Sequence, residues 1–449
     1  MSKNNNLTTG SVGKTLINFV MPYLLSYFMQ TLYGLADLFV VGIYNTSETT
    51  SAVSIGSQIT HMITVIIVGM AMGATVNIGY AVGADDSKRV RKVIGTSAVF
   101  FVLFGFFLTL LLLIFRQSIV TVMMTPKEAI AETTSYITMC FAGVPFITAY
   151  NVISSIYRGL GDSKRPMYFV AAACIINIVL DFLFVGAFSM GAFGAALATV
   201  CGQAASVLVS LVFIKKIPNE YIPKKQEIHL NSNVMSKVLS VGVPIALQDG
   251  LIQIAFTIIM IIANRRGLIA STSVGITEKL IGFMFLVPSA FLSAISAVTA
   301  QNIGAQQVKR AVKSLKIGLT VTVVWGAVCA LYCGFFPHTL IGLFTKDSAV
   351  IIAGSQYLKS YSFDCMFAAV HFCFSGYFCG AGKSGVSFLH NIISIIAIRI
   401  PGAYFASMMF PDTLYPMGWA APLGSVLSML ICIGFFVYFV KKKTPGFYE

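Results

Sequence analysis

Five carboxylates stand inside long apolar stretches, where a charge is expensive: Asp37, Asp181, Asp249, Glu278 and Asp364. Lys279 and Arg399 join them. An ionised group at the centre of a membrane helix costs at least about 2.5–3.5 kcal/mol. A chain keeps such a group where it lines a wet cavity, carries an ion or meets an opposite charge. In the first half, Gln30, Tyr33 and Asp37 fall at i, i+3 and i+7, on one face of a helix. Asn177 and Asp181 fall at i and i+4 on another helix, and Thr199 lies at about the same depth on the next. Two carboxylates, an amide oxygen and a hydroxyl make an all-oxygen set of the kind hard cations prefer. A buried carboxylate also gains proton affinity. The set Asp37, Asn177, Asp181 and Thr199 can therefore hold Na+ or H+, and the sequence leaves the choice open. Gln30 and Tyr33, with Asp249, Glu278 and Asp364, are candidate lining for a substrate cavity.

The second half lacks that oxygen set. Its ionisable groups are Asp249, Glu278, Lys279, Asp364 and Arg399, three acidic and two basic. Glu278 and Lys279 are neighbours in sequence, so they point to different faces and do not pair with each other. A ligand site and an internal ion-pair network are both open readings here, with Lys279 and Arg399 as the candidate cationic partners.

The elements that hold these residues are set by composition. Of 449 residues 57% are apolar and 10% charged, against about 25% charged in soluble domains. Lipid must be the solvent for most of the chain. A helix needs about 20 apolar residues to cross the hydrocarbon core. Spans are expected near 15–43, 52–82, 94–115, 132–158, 166–187, 191–214, 238–263, 270–301, 315–336, 350–379, 386–409 and 416–440. The expected fold class is an all-α membrane protein of twelve transmembrane helices.

The twelve are one six-helix module written twice. Gly83-Ala84 with Lys88, Arg89 and Lys92 returns 221 residues later as Gly304-Ala305 with Lys309, Arg310 and Lys313. The same offset carries Gly159, Gly161 and Ser163 onto Gly380, Gly382 and Ser384, and Tyr136 onto Tyr357; Pro22 maps onto Pro244 with one residue more. An even number of spans per copy gives both copies the same orientation, related by a pseudo-two-fold along the membrane normal. The expected domains are an amino-terminal lobe 1–214, a polar inter-lobe linker 215–237 and a carboxy-terminal lobe 238–449.

Alternate loops then hold 22 of the 30 Lys and Arg on one side and six on the other. The positive-inside rule puts the linker and both termini in the cytoplasm. The formal net charge of +14 is thus a topology signal, and no nucleic-acid partner is expected. Nine cysteines, none in CxxC spacing, read as small apolar packers. Gly380-Ala381-Gly382-Lys383-Ser384 resembles the end of a phosphate loop, but Tyr377 stands where the leading glycine is needed. No nucleophile–base set or paired-metal motif is present, so the chain is not expected to be an enzyme and no cofactor is expected. His61 and His371 read as hydrogen-bonded core residues. Pro22, about four turns before Asp37, is a candidate hinge.

Several stretches resemble the multidrug and toxic compound extrusion (MATE) family of secondary transporters. They are Pro22 to Gln30 with Leu35-Ala36-Asp37-Leu38-Phe39-Val40-Val41-Gly42, and Arg158-Gly159-Leu160-Gly161-Asp162-Ser163-Lys164-Arg165-Pro166-Met167. They continue with Asn177 and Asp181 before Gly191-Ala192-Phe193-Gly194-Ala195-Ala196-Leu197-Ala198-Thr199, and with Gln301-Asn302-Ile303-Gly304-Ala305. The resemblance implies a V-shaped bundle exporting organic cations and drugs in exchange for Na+ or H+ by alternating access. It assigns cation coupling to Asp37, Asn177 and Asp181, with Thr199 beside them, and bending of the first helix to Pro22. Its remaining expectations are a monomer in the bacterial inner membrane, with cationic or amphipathic small molecules and membrane lipid as partners. The chain departs from one branch of the family, since Asp249 lies early in the seventh span. The rival readings are a lipid-linked oligosaccharide flippase of the same superfamily and a major-facilitator-type carrier.

Overall fold

The computed structural model describes residues 6–448, so Lys3, one of the 22 basic residues assigned to the cytoplasm, lies outside the described residues. Among these there is no strand, only an isolated bridge between Pro445 and Tyr448. The first half runs through α1 (Val12–Tyr44), α2 (Ser47–Gly83), α3 (Ser87–Val122), α4 (Ile130–Ala142), α5 (Val144–Gly159), α6 (Lys164–Asp181) and α7 (Gly191–Ile214). The second half follows with α8 (Ser232–Asn264), α9 (Leu268–Met284), α10 (Leu286–Gly304), α11 (Val308–Phe335), α12 (Pro337–Ile341) and α13 (Ser348–Tyr361). It closes with α14 (Asp364–Gly380), α15 (Ser384–Ser394), α16 (Ile400–Met409), α17 (Tyr415–Gly418) and α18 (Ala420–Lys441). Among the described residues ten helices are long and apolar enough to cross a membrane, and two bent pairs bring the number to twelve if each pair is one span.

Proline chemistry explains some of the breaks. The expected span 270–301 is two helices meeting at Phe285. Pro288 has no N–H for the carbonyl of Met284, and the Trp325 indole N–H donates to that oxygen instead at 2.9 Å. Residues 127–142 and 144–159 meet at 46°, with Pro145 opening the second piece. Residues 348–361 and 364–380 meet at 42° without a proline. In α1, Pro22 is accommodated within the helix, and Ser26 Oγ donates to its carbonyl at 2.7 Å.

The repeat read from the sequence is also a repeat of packing. Asp85 (φ 54°) and Gln306 (φ 59°) occupy the left-handed region at equivalent turns, as do Gly161 (φ 87°) and Gly382 (φ 73°). Gly159 lies so close to α2 that a Cβ on it would stand 2.9 Å from the Thr75 carbonyl and 2.8 Å from Ile78 Cβ. At Gly380 the same atom would stand 2.5 Å from the Ser296 carbonyl and 2.7 Å from Thr299 Cβ. Ser296 and Thr299 are Thr75 and Ile78 shifted by 221. Gly380→Ala is therefore expected to destabilise the protein by about 1–3 kcal/mol. Gly434→Ala, whose Cβ meets nothing within 4 Å, is expected to be neutral or mildly stabilising. Thermal unfolding in detergent checks the pair, and equal melting temperatures would contradict it.

The chain forms two compact units, one built from Met21–Ala246 and the other from Leu7–Val20 with the residues from Leu247 onward. Helices α1 and α8 each contribute to both, and each divides within three residues of its proline, Pro22 or Pro244. Glycines allow the amino-terminal half of α8 to join unit one. A Cβ on Gly242 would stand 2.3 Å from the Met70 carbonyl, and one on Gly73 2.1 Å from the Val238 carbonyl.

The segment before each shared helix is held by an arginine just after the repeated turn, at a different position in each copy. In unit one, Arg91 pairs with Glu227 at 2.9 Å and donates to the Glu220 carbonyl at 3.0 Å. The backbone N–H of Lys224 and then Arg91 hold the Glu227 carboxyl below the usual range. In unit two, Arg310 donates to the carbonyls of Gly10 and Thr9, each at 2.6 Å.

Candidate functional site

Three helices of unit one bring the expected oxygen set together. α1 supplies Asp37, α6 supplies Asn177 and Asp181, and α7 supplies Thr199. Gly202 allows the approach of α7 to α6, since a Cβ there would stand 2.9 Å from the Ala173 carbonyl and 3.2 Å from Asn177 Cβ. Asp181 is the last residue of α6 before a π-helical stretch, Phe182–Ala187. Such stretches are rare and gather at functional positions.

Asp37, Asn177 and Asp181 are at most 3% exposed, and Thr199 is 8% exposed. Thr199 Oγ1 lies 3.2 Å from Asp37 Oδ2 and 3.1 Å from the Ala195 carbonyl, so its single proton serves either acceptor. The Asp37 carboxylate faces the side chains of Asp181 and Asn177 as well. Asp37 Oδ1, both Asp181 oxygens and both polar atoms of the Asn177 amide are buried with no hydrogen-bond partner. No basic side chain pairs with either aspartate among the described residues. Two buried carboxylates with vacant lone pairs, an amide oxygen and a hydroxyl suit one small cation or a shared proton. No group of three or more His, Cys, Asp or Glu able to hold a metal occurs among the described residues, so a transition-metal centre does not fit.

Gln30 and Tyr33 are half-buried on the same helix as Asp37. Tyr33 lies within electrostatic range of the Asp37 carboxylate, and Gln30 neighbours the Tyr150 hydroxyl. Tyr136, noted in the sequence only as a marker of the repeat, is 1% exposed and also within range of Asp37.

Unit two arranges its charges differently. Asp364, with no exposed surface, pairs with Arg399 at 3.4 Å. Arg399 also donates to Ser425 Oγ at 2.7 Å, and that oxygen lies 3.3 Å from His371 Nε2. The His371 ring meets His390 edge-on at 5.4 Å, and His390 Nε2 lies 2.8 Å from Ser375 Oγ. Arg399 ends a second π-helical stretch, Ile395–Arg399. Asp364, a candidate for cavity lining or for an internal ion pair in the sequence, is engaged here by Arg399. Asp249 is half-buried and accepts from Gln248 Nε2 at 3.4 Å. Glu278 is half-buried, with Oε1 lacking a partner. Lys279 is exposed and pairs with no carboxylate among the described residues, so the ion-pair role falls to Arg399. Gln30 and Tyr33 belong to unit one, and Asp249, Glu278 and Asp364 to unit two.

Two repeated bundles of membrane-length helices, one holding buried acids with no basic partner among the described residues, are the build of a polytopic membrane transporter. The MatE family model matches residues 22–183 and 244–405, and the chain belongs to that family. Each matched copy opens at one of the two prolines of the shared helices. The chain is 24% identical over 440 residues to the probable multidrug resistance protein YoeA of Bacillus subtilis, covering 96% of this chain and 95% of that one. It is 28% identical over 447 residues to the probable multidrug resistance protein YpnP of the same organism, covering 96% of each. Its fold matches that of a multidrug resistance MATE family transporter of the MOP superfamily in an outward-facing conformation. The TM-score is 0.91 at 20% identity, covering 99% of this chain and 100% of the other.

Proposed function

We propose that the protein exports organic cations and drugs by alternating access, in exchange for Na+ or H+ bound at Asp37, Asn177, Asp181 and Thr199. The observation that supports this reading is the buried Asp37–Asp181 pair, three of whose four oxygens lack a hydrogen-bond partner and which meets no basic side chain among the described residues. Binding an ion there neutralises the pair and changes how strongly the protein holds a cationic cargo. Exchange needs only that ion and cargo prefer different states. The curated relatives named for multidrug resistance support a broad cargo class. Rings such as Tyr33 and Tyr136 beside the acids suit flat cations. In this reading the protein works as a monomer in the bacterial inner membrane; the distribution of Lys and Arg supports cytoplasmic placement of both termini.

Purified protein in vesicles loaded to sense ethidium tests the reading. An imposed pH or Na+ gradient is expected to drive dye uphill against the ion, with one of the two gradients dominant. Dye movement indifferent to both gradients would overturn it.

A further inference from the structure

Below the acidic pair, unit one holds a second buried charge that the exchange reaction does not use. Arg158, in the last turn of α5, is 9% exposed, and no carboxylate pairs with it among the described residues. Its guanidinium lies over the Tyr23 ring at 4.6 Å, and the titratable groups within its range are the phenols of Tyr23, Tyr27 and Tyr150. A buried cation surrounded by rings rather than an acid keeps its full positive field.

A polar track connects this charge to the ion site. On α5, Tyr150, Ser154 and Arg158 recur every fourth residue, so they form one stripe. On α1, Tyr23, Tyr27, Gln30, Tyr33 and Asp37 form a second stripe, with Tyr23 and Asp37 about 21 Å apart along the helix. The Tyr150 hydroxyl has Gln30 and Ser154 as neighbours, and Tyr33 is in range of both Asp37 and Tyr150. Tyr150 and Ser154 are 4% and 0% exposed, and neither hydroxyl has a hydrogen-bond partner. Buried hydroxyls without protein partners are where water enters. Once wetted, such a string of polar groups would let an ion slip from the acidic pair to the Gly159–Ser163 turn without any exchange.

We propose that Arg158 is the cation barrier of that route, keeping the coupling ion of unit one from leaking past Tyr150 and Ser154. A fixed guanidinium excludes protons and metal cations from narrow polar pores in the same way. The tyrosine lid keeps it unpaired, and a carboxylate partner would cancel its field. The proposal rests on the assignment of Asp37 and Asp181 as the ion site.

The test uses the full chain in vesicles without cargo, following the decay of an imposed pH or Na+ gradient. Arg158→Gln is expected to leak at least tenfold faster than the parent, and Arg158→Lys to stay tight. The double change Arg158→Gln with Asp37→Asn is expected to seal again, since the leak starts at the acids. A tight Arg158→Gln protein that merely melts lower would show Arg158 to be a structural brace and end the proposal. A leak that persists without Asp37 would overturn the route. If the parent itself shows no ion-coupled dye movement, the functional reading fails first. Coupling in the parent with a tight Arg158→Gln protein sinks only the barrier.

Discussion

Asp37→Asn should give a protein that folds, binds ethidium and melts higher than its parent, yet moves no dye against an ion gradient. The substitution is isosteric, so packing of α1 on α6 and α7 is kept. It removes one of two buried carboxylates that face each other without a basic partner. Relieving that repulsion and desolvation should stabilise the fold by about 1–3 kcal/mol. The amide keeps an oxygen for Thr199, 3.2 Å away in the parent. It cannot change charge, so ion binding no longer distinguishes the two states. In the parent, the ion should shift dye affinity by roughly 5–150-fold, the usual scale of coupling between sites. In the variant that shift should vanish. Dye titrations with and without ion, beside thermal unfolding, read both effects. Gain of stability with loss of coupling marks a functional site that holds strain. A lower melting temperature with intact coupling would make Asp37 a packing residue and move the ion elsewhere.

The features legible in the sequence were those fixed along one helix or one turn. Span length follows from apolar run length, and the expected spans overlap the observed helices throughout. The repeat was visible because its turns need special residues, Gly161 and Gly382 in the left-handed region among them. Asp37, Asn177 and Asp181 could be grouped because spacing puts each on a defined face and their cost in lipid marks them. Contacts between helices were not legible, since they depend on how each helix is rotated. Asp364 and Arg399 meet only because α14 and the π-helical stretch of 395–399 turn toward each other. His390 lies in an expected span and went unremarked, although its ring meets His371. Tyr150 carries no charge and breaks no rule of membrane composition; only its position between Gln30 and Ser154 reveals it. The bend at 362–363 has no proline to announce it.

Arg399→Ala should be the most damaging single change in unit two, and Asp364→Asn in the same chain should repair most of it. Asp364 has no exposed surface, and its Oδ2 lies 3.4 Å from Arg399. Removing the guanidinium strands a carboxylate that already has one unpartnered oxygen. Breaking a buried pair from one side costs about 3–5 kcal/mol, whereas replacing both partners is often close to neutral. Ser425 Oγ also loses the donor held at 2.7 Å, and with it the connection from α18 to Arg399. The expected order of melting temperatures is parent and double variant together, with Arg399→Ala well below. The double variant then separates two roles for the pair. If Asp364 and Arg399 only neutralise each other, it should export dye at the parental rate, because the oxygen set of Asp37 and Asp181 is untouched. If export collapses in a double variant that melts like the parent, the Asp364 charge takes part in transport. The second half of the chain would then contribute its own titrating step to the cycle.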